Sequence, residues 1–345
     1  MTIPRPLAVG VLGTGRMGSF HAETLARRLP GVQLAALADP APGAARRLAD
    51  RLDCPTAYTE AADLLADPRV EAVVIATPAR THADLVEAAA RAGKAVYCEK
   101  PMAITLADAD RAVAAAEQAG VPLQVGFNRR YDPAFRAAHD KIADGGIGTP
   151  QLLRSLTRDP ELADPARIPP WTIFLETLIH DFDTLRYLNP GAEPVEVFAM
   201  ADALVRPDFK HLGLLDTAVV TIRFDNGALA TAEANFQAVY GYDVRGEVFG
   251  SNGMLTMGDI RRTDLTAYGP DGITADCTVY DQDLFRDAYI AELADFADCV
   301  RVGRTPSVTG RDARAALAVA LAAIESVSTG GSVRVENLKD YAPAP

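Results

Sequence analysis

The sequence predicts an α/β protein in two parts: a parallel sheet covered by helices on both faces, then an α+β region with a mostly antiparallel sheet. Three observations predict it. Over the first third, five short apolar runs alternate with amphipathic stretches. A glycine cluster lies between the first run and the first helical stretch. Two turn signals separate β-type runs between Val195 and Met257. The chain has 345 residues, too many for one ordinary core, so two domains are expected.

The apolar runs are Leu7–Leu12, Val32–Ala38, Val70–Ala76, Ala95–Cys98 and Leu123–Phe127. Near-continuous apolar strands are the mark of a sheet buried on both faces. Between them lie the helical stretches Met17–Leu29, Pro42–Leu52, Thr81–Ala92 and Leu106–Ala119. Gly31, Gly93 and Gly120 each follow a helical stretch, where a left-handed cap is wanted. Past Asn128 the pattern changes. A helix is expected over Ala134–Ala143, a strand over Leu152–Leu156, and a proline-rich loop from Asp159 to Trp171. The next helix is read as Phe174–Leu188. Val219–Phe224 and Ala228–Ala234 flank Asp225-Asn226-Gly227, a strong hairpin signal. Val244–Phe249 and Met254–Met257 flank Ser251-Asn252-Gly253. Helices Leu284–Val302 and Arg311–Ser328 close the chain. The expected domains are residues 1–127 and 128–345, with no flexible linker between them.

Composition narrows the function classes. Apolar residues make up 49% and charged residues 23%, an ordinary globular balance. The formal net charge is −12, and no Lys/Arg stripe of the kind that binds nucleic acid is present. Cys54, Cys98, Cys277 and Cys299 are scattered, without metal-ligand spacing, and read as reduced thiols of a cytoplasmic protein. Met1–Pro6 lacks a signal-peptide core, and the apolar stretch Ala315–Ile324 is too short to span a membrane. Neither a membrane nor a nucleic acid is expected as a partner.

Gly13-Thr14-Gly15-Arg16-Met17-Gly18 fits GxGxxG between a strand and a helix. The first glycine permits the tight turn, the second lets backbone N–H groups approach a pyrophosphate, and the third lets helix and strand pack closely. The helix N-terminus adds partial positive charge for the phosphate. Gly13, Gly15, Arg16 and Met17 are therefore candidate cofactor contacts in a Rossmann domain. Asp39 lies 21 residues past Gly18, where an acid can bond both ribose hydroxyls and repel a 2′-phosphate. NAD is the expected cofactor. The competing role for Asp39 is to cap the next helix.

Two further sets of residues carry chemistry. Glu99-Lys100-Pro101 follows the fourth strand at its carboxyl end, where open α/β sheets bind ligands. Lys100 there can act on a substrate oxygen, and Pro101 can fix a sharp turn, in cis if required. A plain surface Lys-Pro turn is the alternative. Glu176 and His180 stand four apart, on one face of the expected helix, where a carboxylate can orient an imidazole as general base. Asp181 or Asp183 could be the partner instead, and a structural histidine is the plainer reading. A metal site of Glu176, His180 and Asp183 lacks an obvious further ligand, so no metal is expected. Tyr240-Gly241-Tyr242-Asp243 can line a polar pocket or be ordinary sheet-edge tyrosines.

With these residues in view, the sequence resembles the glucose–fructose oxidoreductase/inositol dehydrogenase (Gfo/Idh/MocA) superfamily along almost the whole chain. The glycine turn with His21, Ala38-Asp39-Pro40, Ala76-Thr77-Pro78 with His82, and Cys98-Glu99-Lys100-Pro101 carry the resemblance. Val125–Asp132 and His180-Asp181-Phe182-Asp183 extend it. Tyr240–Asp243 with Glu247–Gly250, and Thr157–Pro160, are most similar to the inositol 2-dehydrogenase branch. The resemblance implies NAD-dependent oxidation of a ring hydroxyl of a cyclitol or sugar. It implies that Lys100 contacts the reacting oxygen and that His180 is the acid/base, with Glu176 beside it. It also implies that Thr77, Pro78, His82, Glu99 and Asn128 flank the cofactor, and that Arg129, Asp159 and Tyr242 contact substrate. A large open sheet is implied in the second domain, its face forming a homodimer or homotetramer interface. The chain departs from the inositol enzymes at Glu176, where they carry aspartate, and at Trp171-Thr172-Ile173-Phe174, where they carry Ser-Gly-Gly. A redox-neutral NAD-dependent glycosidase and a non-catalytic NAD sensor are the competing functions.

Overall fold

The computed structural model describes residues 5–161 and 168–338. Part of the proline-rich loop expected over Asp159–Trp171 thus lies outside the described residues. The chain forms two compact units, Met1–Phe127 with Tyr289–Arg314, and Asn128–Ala288 with Ala315–Pro345.

In the first unit the order is β1 (Leu7–Leu12), α1 (Arg16–Arg27), β2 (Val32–Ala38), α2 (Ala44–Leu52), β3 (Ala57–Tyr58) and α3 (Ala61–Ala66). It continues with β4 (Ala72–Ile75), α4 (His82–Arg91), β5 (Ala95–Cys98), α5 (Leu106–Ala119) and β6 (Leu123–Val125). The strands form one parallel sheet in the order β3-β2-β1-β4-β5-β6. The order reverses between β1 and β4, and this switch point opens a crevice at the carboxyl ends of the strands. β1, β4 and β5 are buried at every position, which is why they read as unbroken apolar runs.

The second unit contains α6 (Pro133–Ala143), β7 (Pro150–Arg158), a π-helical segment (Ile173–Leu178) and α7 (Ile179–Tyr187). Strands β8 (Pro194–Asp202), β9 (Thr217–Phe224), β10 (Leu229–Asn235), β11 (Asp243–Gly250) and β12 (Gly253–Met257) follow. The hairpin β13 (Arg261–Gly269) and β14 (Gly272–Cys277) comes next, then α8 (Asp281–Leu284), α9 (Arg286–Val302), α10 (Gly310–Thr329) and β15 (Val333–Arg334). Seven strands form a sheet ordered β12-β11-β7-β10-β9-β8-β15. Only the β7–β10 pair in it is parallel. The Asp225-Asn226-Gly227 and Ser251-Asn252-Gly253 signals become the β9–β10 and β11–β12 turns.

Three features differ from the sequence reading. The helix expected over Phe174–Leu188 begins as a π-helix and becomes α-helical only at Ile179. Trp171, just before it, holds a left-handed φ of 63°. Residues Tyr289–Arg314 cluster with the first unit, because Leu293, Phe296 and Ala297 of α9 enter the core beside Leu7, Val9 and Tyr97. The β13–β14 hairpin was not anticipated, since it is exposed at nearly every position and shows no apolar alternation.

The large sheet has one buried and one open face. Along β9 and β11, buried residues alternate with exposed ones. The open face carries apolar side chains, among them Leu152, Phe198, Met200, Leu229, Phe249 and Met254. Leu152, Phe198 and Leu229 line a groove of about 620 Å³ there. Among the described residues, no helix is long and apolar enough to cross a membrane.

Candidate functional site

The first unit gathers one set of candidate residues along the carboxyl edge of its parallel sheet. Gly13 leaves β1 with φ 90°, and a Cβ there would lie 2.5 Å from the carbonyl oxygen of Ala76. A Cβ at Gly18 would lie 2.0 Å from the carbonyl oxygen of Gly13, so α1 packs on this turn only without a side chain. At Gly15 a Cβ would meet nothing within 4 Å. Gly15 is the N-cap of α1, and no side chain caps that terminus. The open space and the uncapped helix end are what a pyrophosphate needs. In the first turn of α1, Arg16 is exposed and Met17 half-buried.

Asp39 ends β2 and faces this turn. Its Oδ2 accepts from the Thr14 N–H at 2.7 Å and from the Thr14 hydroxyl at 2.8 Å. Its Oδ1 accepts from the Ala41 N–H at 2.9 Å. Burial pushes the Asp39 carboxyl up, but the bonds from Ala41 and Thr14 outweigh it and hold the group below the usual carboxylate range. The N-cap of α2 is Gly43, so Asp39 does not cap that helix. The residues present fit NAD.

Thr77 and Pro78 follow β4. His82 opens α4 and is buried, with Nδ1 2.8 Å from the Pro101 carbonyl and Nε2 2.8 Å from the Thr77 carbonyl. His82 therefore ties the Thr77 turn to the Lys100 turn. The Lys100–Pro101 peptide is cis. Glu99 is buried at the end of β5, and its Oε1 lies 2.5 Å from His21 Nε2. Lys100 is partly exposed at the same edge.

The second unit gathers the other set. Over Ile173–His180 every side chain is buried except Glu176 and His180. Both are half-buried, Glu176 in the π-helical turn and His180 in the first turn of α7. A π-helical turn is rare and recurs at functional sites. Asp181 and Asp183 are committed elsewhere. Arg129 donates from Nη1 to Asp181 Oδ1 at 2.8 Å and from Nη2 to Thr157 at 2.6 Å. The hydroxyls of Ser155 and Thr157 also donate to Asp181, at 2.5 and 2.7 Å. Arg130 grips Asp183 with two bonds of 2.8 and 2.6 Å. These buried pairs lock the start of α7. They also spend both oxygens of Asp183, which disfavours a Glu176–His180–Asp183 metal site.

Asn128 and Arg129 lie in a buried 3-10 turn. Arg129 is 3% exposed and donates to Asp181 and Thr157. Asp159 and Tyr242 come together because β7 and β11 pair, Arg158 lying opposite Asp243. Burial, then the charges of Asp159 and Asp281, push the Tyr242 phenol well above its usual range, against a smaller lowering by Arg129. Tyr242 is thus a neutral O–H donor at working pH. The sequence reading gave no role to Tyr97 or Glu292, which are buried beside His21 and Glu99. A glutamate amid the apolar face of α9 was the available signal.

Comparisons with known proteins identify the family. Residues 7–127 match the oxidoreductase family with NAD-binding Rossmann fold, GFO/IDH/MocA, and residues 135–256 match the C-terminal domain of the same family. A myo-inositol 2-dehydrogenase of Thermotoga maritima is 38% identical, over 96% of this chain and 99% of its own length. The NAD(+) scyllo-inositol 2-dehydrogenase of Bacillus subtilis is also 38% identical, over 96% and 97%. The crystal structure of a Lactobacillus casei scyllo-inositol dehydrogenase with NAD(H) and scyllo-inositol superposes with a TM-score of 0.92 at 25% identity, over 96% of this chain and 100% of that one. The chain belongs to the GFO/IDH/MocA family of NAD-binding oxidoreductases.

Proposed function

We propose that this protein oxidises a ring hydroxyl of an inositol-like cyclitol to a ketone, with NAD as the acceptor. The observation that carries the reading is the segment Ile173–His180, which buries everything but an acid and an imidazole. Relatives named as inositol dehydrogenases, matched over nearly the whole chain, supply the substrate class. His180, oriented by Glu176, takes the hydroxyl proton. The ammonium of Lys100 stabilises the negative charge that develops on the same oxygen. Asp159 and the neutral Tyr242 phenol bond the other ring hydroxyls, and Arg129 supports them from behind. NAD, when bound, supplies the carbon that accepts the hydride. Gly13, Gly15, Arg16 and Met17 hold its phosphates and Asp39 its ribose, with Thr77, Pro78, Glu99 and Asn128 beside it.

Assay with NAD and a panel of myo-, scyllo- and D-chiro-inositol and common aldohexoses tests the reading. NADH should accumulate with at least one cyclitol. Release of an aryl glycoside's leaving group without net NADH would overturn it. Asp39 carries a separate expectation. NAD should be preferred over NADP, and Asp39→Ala should lower kcat/KM for NAD by roughly 10–100-fold, the worth of a charged hydrogen bond. Equal use of NAD and NADP by the unaltered enzyme removes Asp39 from this role.

The open face of the second unit's sheet is the proposed contact with a second copy. Apolar side chains that alternate along several strands form a patch of the kind that marks interfaces. Leu229→Asp combined with Phe249→Asp should reduce the mass in solution to that of a single chain. An unchanged mass would contradict the assignment.

A further inference from the structure

Beneath the Lys100 turn, the first unit buries a cluster of ionisable side chains that no step above uses. His21 Nε2 stands 2.5 Å from Glu99 Oε1. Tyr97 donates its O–H to Glu292 Oε1 at 2.5 Å. Ligand-type atoms of His21, Glu99 and Glu292 all lie within 4.8 Å of one another. Glu292 comes from α9, where Gln124 donates to its backbone carbonyl at 2.7 Å. The backbone N–H of Lys100 donates to Glu99 Oε2 at 3.3 Å, so this carboxylate holds the peptide that presents Lys100.

The geometry suits protons rather than a metal ion. Tetrahedral ligands about 2.0–2.2 Å from a zinc ion stand roughly 3.3–3.6 Å from one another. The 2.5 Å between His21 and Glu99 leaves room for a proton only. The cluster is also closed: a Cβ at Gly126 would lie 2.6 Å from the Tyr97 oxygen and 3.3 Å from Glu99 Oε2.

Two carboxyl groups this close and this dry do not both ionise. Burial raises Glu99, but the hydrogen bond from His21 and the charges of His21, Lys100 and His82 bring it below the ordinary range. Burial and the Glu99 charge push Glu292 well above it, and the Tyr97 bond offsets this only in part. Glu292 Oε2 has no hydrogen-bond partner, so no donor is aimed at it as an ionised oxygen would require.

We propose that Glu292 is a positioning residue for the Lys100 turn: a neutral acid beside the Glu99 carboxylate, it keeps one negative charge in the cluster and so holds Glu99, and through it the Lys100 peptide, in place. The role rests on Lys100 acting at the reacting oxygen. The charge state does not, and two readouts separate them. A carboxyl raised in the folded state destabilises the fold as pH climbs above the ordinary glutamate range, because only the unfolded chain ionises. Glu292→Gln removes that loss. Its Tm should therefore exceed the parent's by a margin that widens from about pH 5 to about pH 8. A variant that becomes relatively less stable as pH rises would show an ionised Glu292 and overturn the proposal. An infrared band of a protonated carboxyl, present in the parent and lost in Glu292→Gln, is the second check on charge state, and its absence from the parent counts against it. For positioning, Glu292→Leu should lower kcat about tenfold or more, with NAD affinity within about twofold, and Gln should restore most of the loss. Parent-like kcat in Glu292→Leu overturns the positioning role. Should Lys100→Met retain full turnover, the reading of Lys100 fails by itself, while the melting series still reports the state of Glu292.

Discussion

Lys100→Met should lower kcat by about 10³-fold, roughly 4 kcal/mol of transition-state stabilisation, while NAD affinity stays within about twofold. The size follows from the step. As the base withdraws the hydroxyl proton, negative charge builds on the oxygen and is relieved only when hydride has left the carbon and the ketone has formed. A fixed ammonium at the end of β5 meets that charge without reorganising, and removal of one such donor typically lowers rates by about 10²–10³-fold. Loss of help with the proton adds to it. NAD affinity is spared because the pyrophosphate turn and Asp39 belong to β1 and β2, two strands with their own bonding to Thr14 and Ala41. Methionine keeps the length of the side chain and removes the charge. Single-turnover kinetics and a cofactor titration on the same preparation check both halves. Lost NAD binding with turnover intact would refute the role.

His180→Asn should lower kcat by about 10²–10⁴-fold, the usual worth of a positioned acid/base, with substrate KM changed by no more than about threefold. Asparagine fills much of the same space but cannot accept the proton. The sign of the pH effect follows. A protonated imidazole is useless as a base, so turnover of the parent falls as pH drops. The residual turnover of His180→Asn should lose that acid limb. A variant that keeps the limb would move the base to another residue. Glu176→Gln should fall between parent and His180→Asn, since it removes the orienting charge and not the base.

The sheet of the first unit was legible because parallel strands buried on both faces leave continuous apolar runs, and glycines mark where they stop. β1, β2 and β5 start and end where the sequence places them. β3 was missed because two residues carry no period. The turn signals at Gly227 and Gly253 fixed two hairpins of the large sheet, since each needs a backbone that glycine supplies. The π-helical turn was not legible. Apolar residues over Phe174–Leu188 fit a helix of either pitch, and nothing in the composition shows one residue too many in the turn. The partners of Asp181 and Asp183 were hidden for a different reason. Arg129 and Arg130 lie 52 and 53 residues upstream, and a single sequence carries no measure of that approach. The same holds for Tyr97 and Glu292, 195 residues apart.

The central claim is transfer of hydride from a ring carbon bearing a hydroxyl. Scyllo-inositol deuterated at every ring carbon, incubated with the enzyme and NAD, tests it most directly by mass spectrometry of the products. One deuterium in the reduced cofactor for each ring ketone formed is the expected result. A reduced cofactor without deuterium, or consumption of a sugar with no reduced cofactor and no ketone, would contradict it.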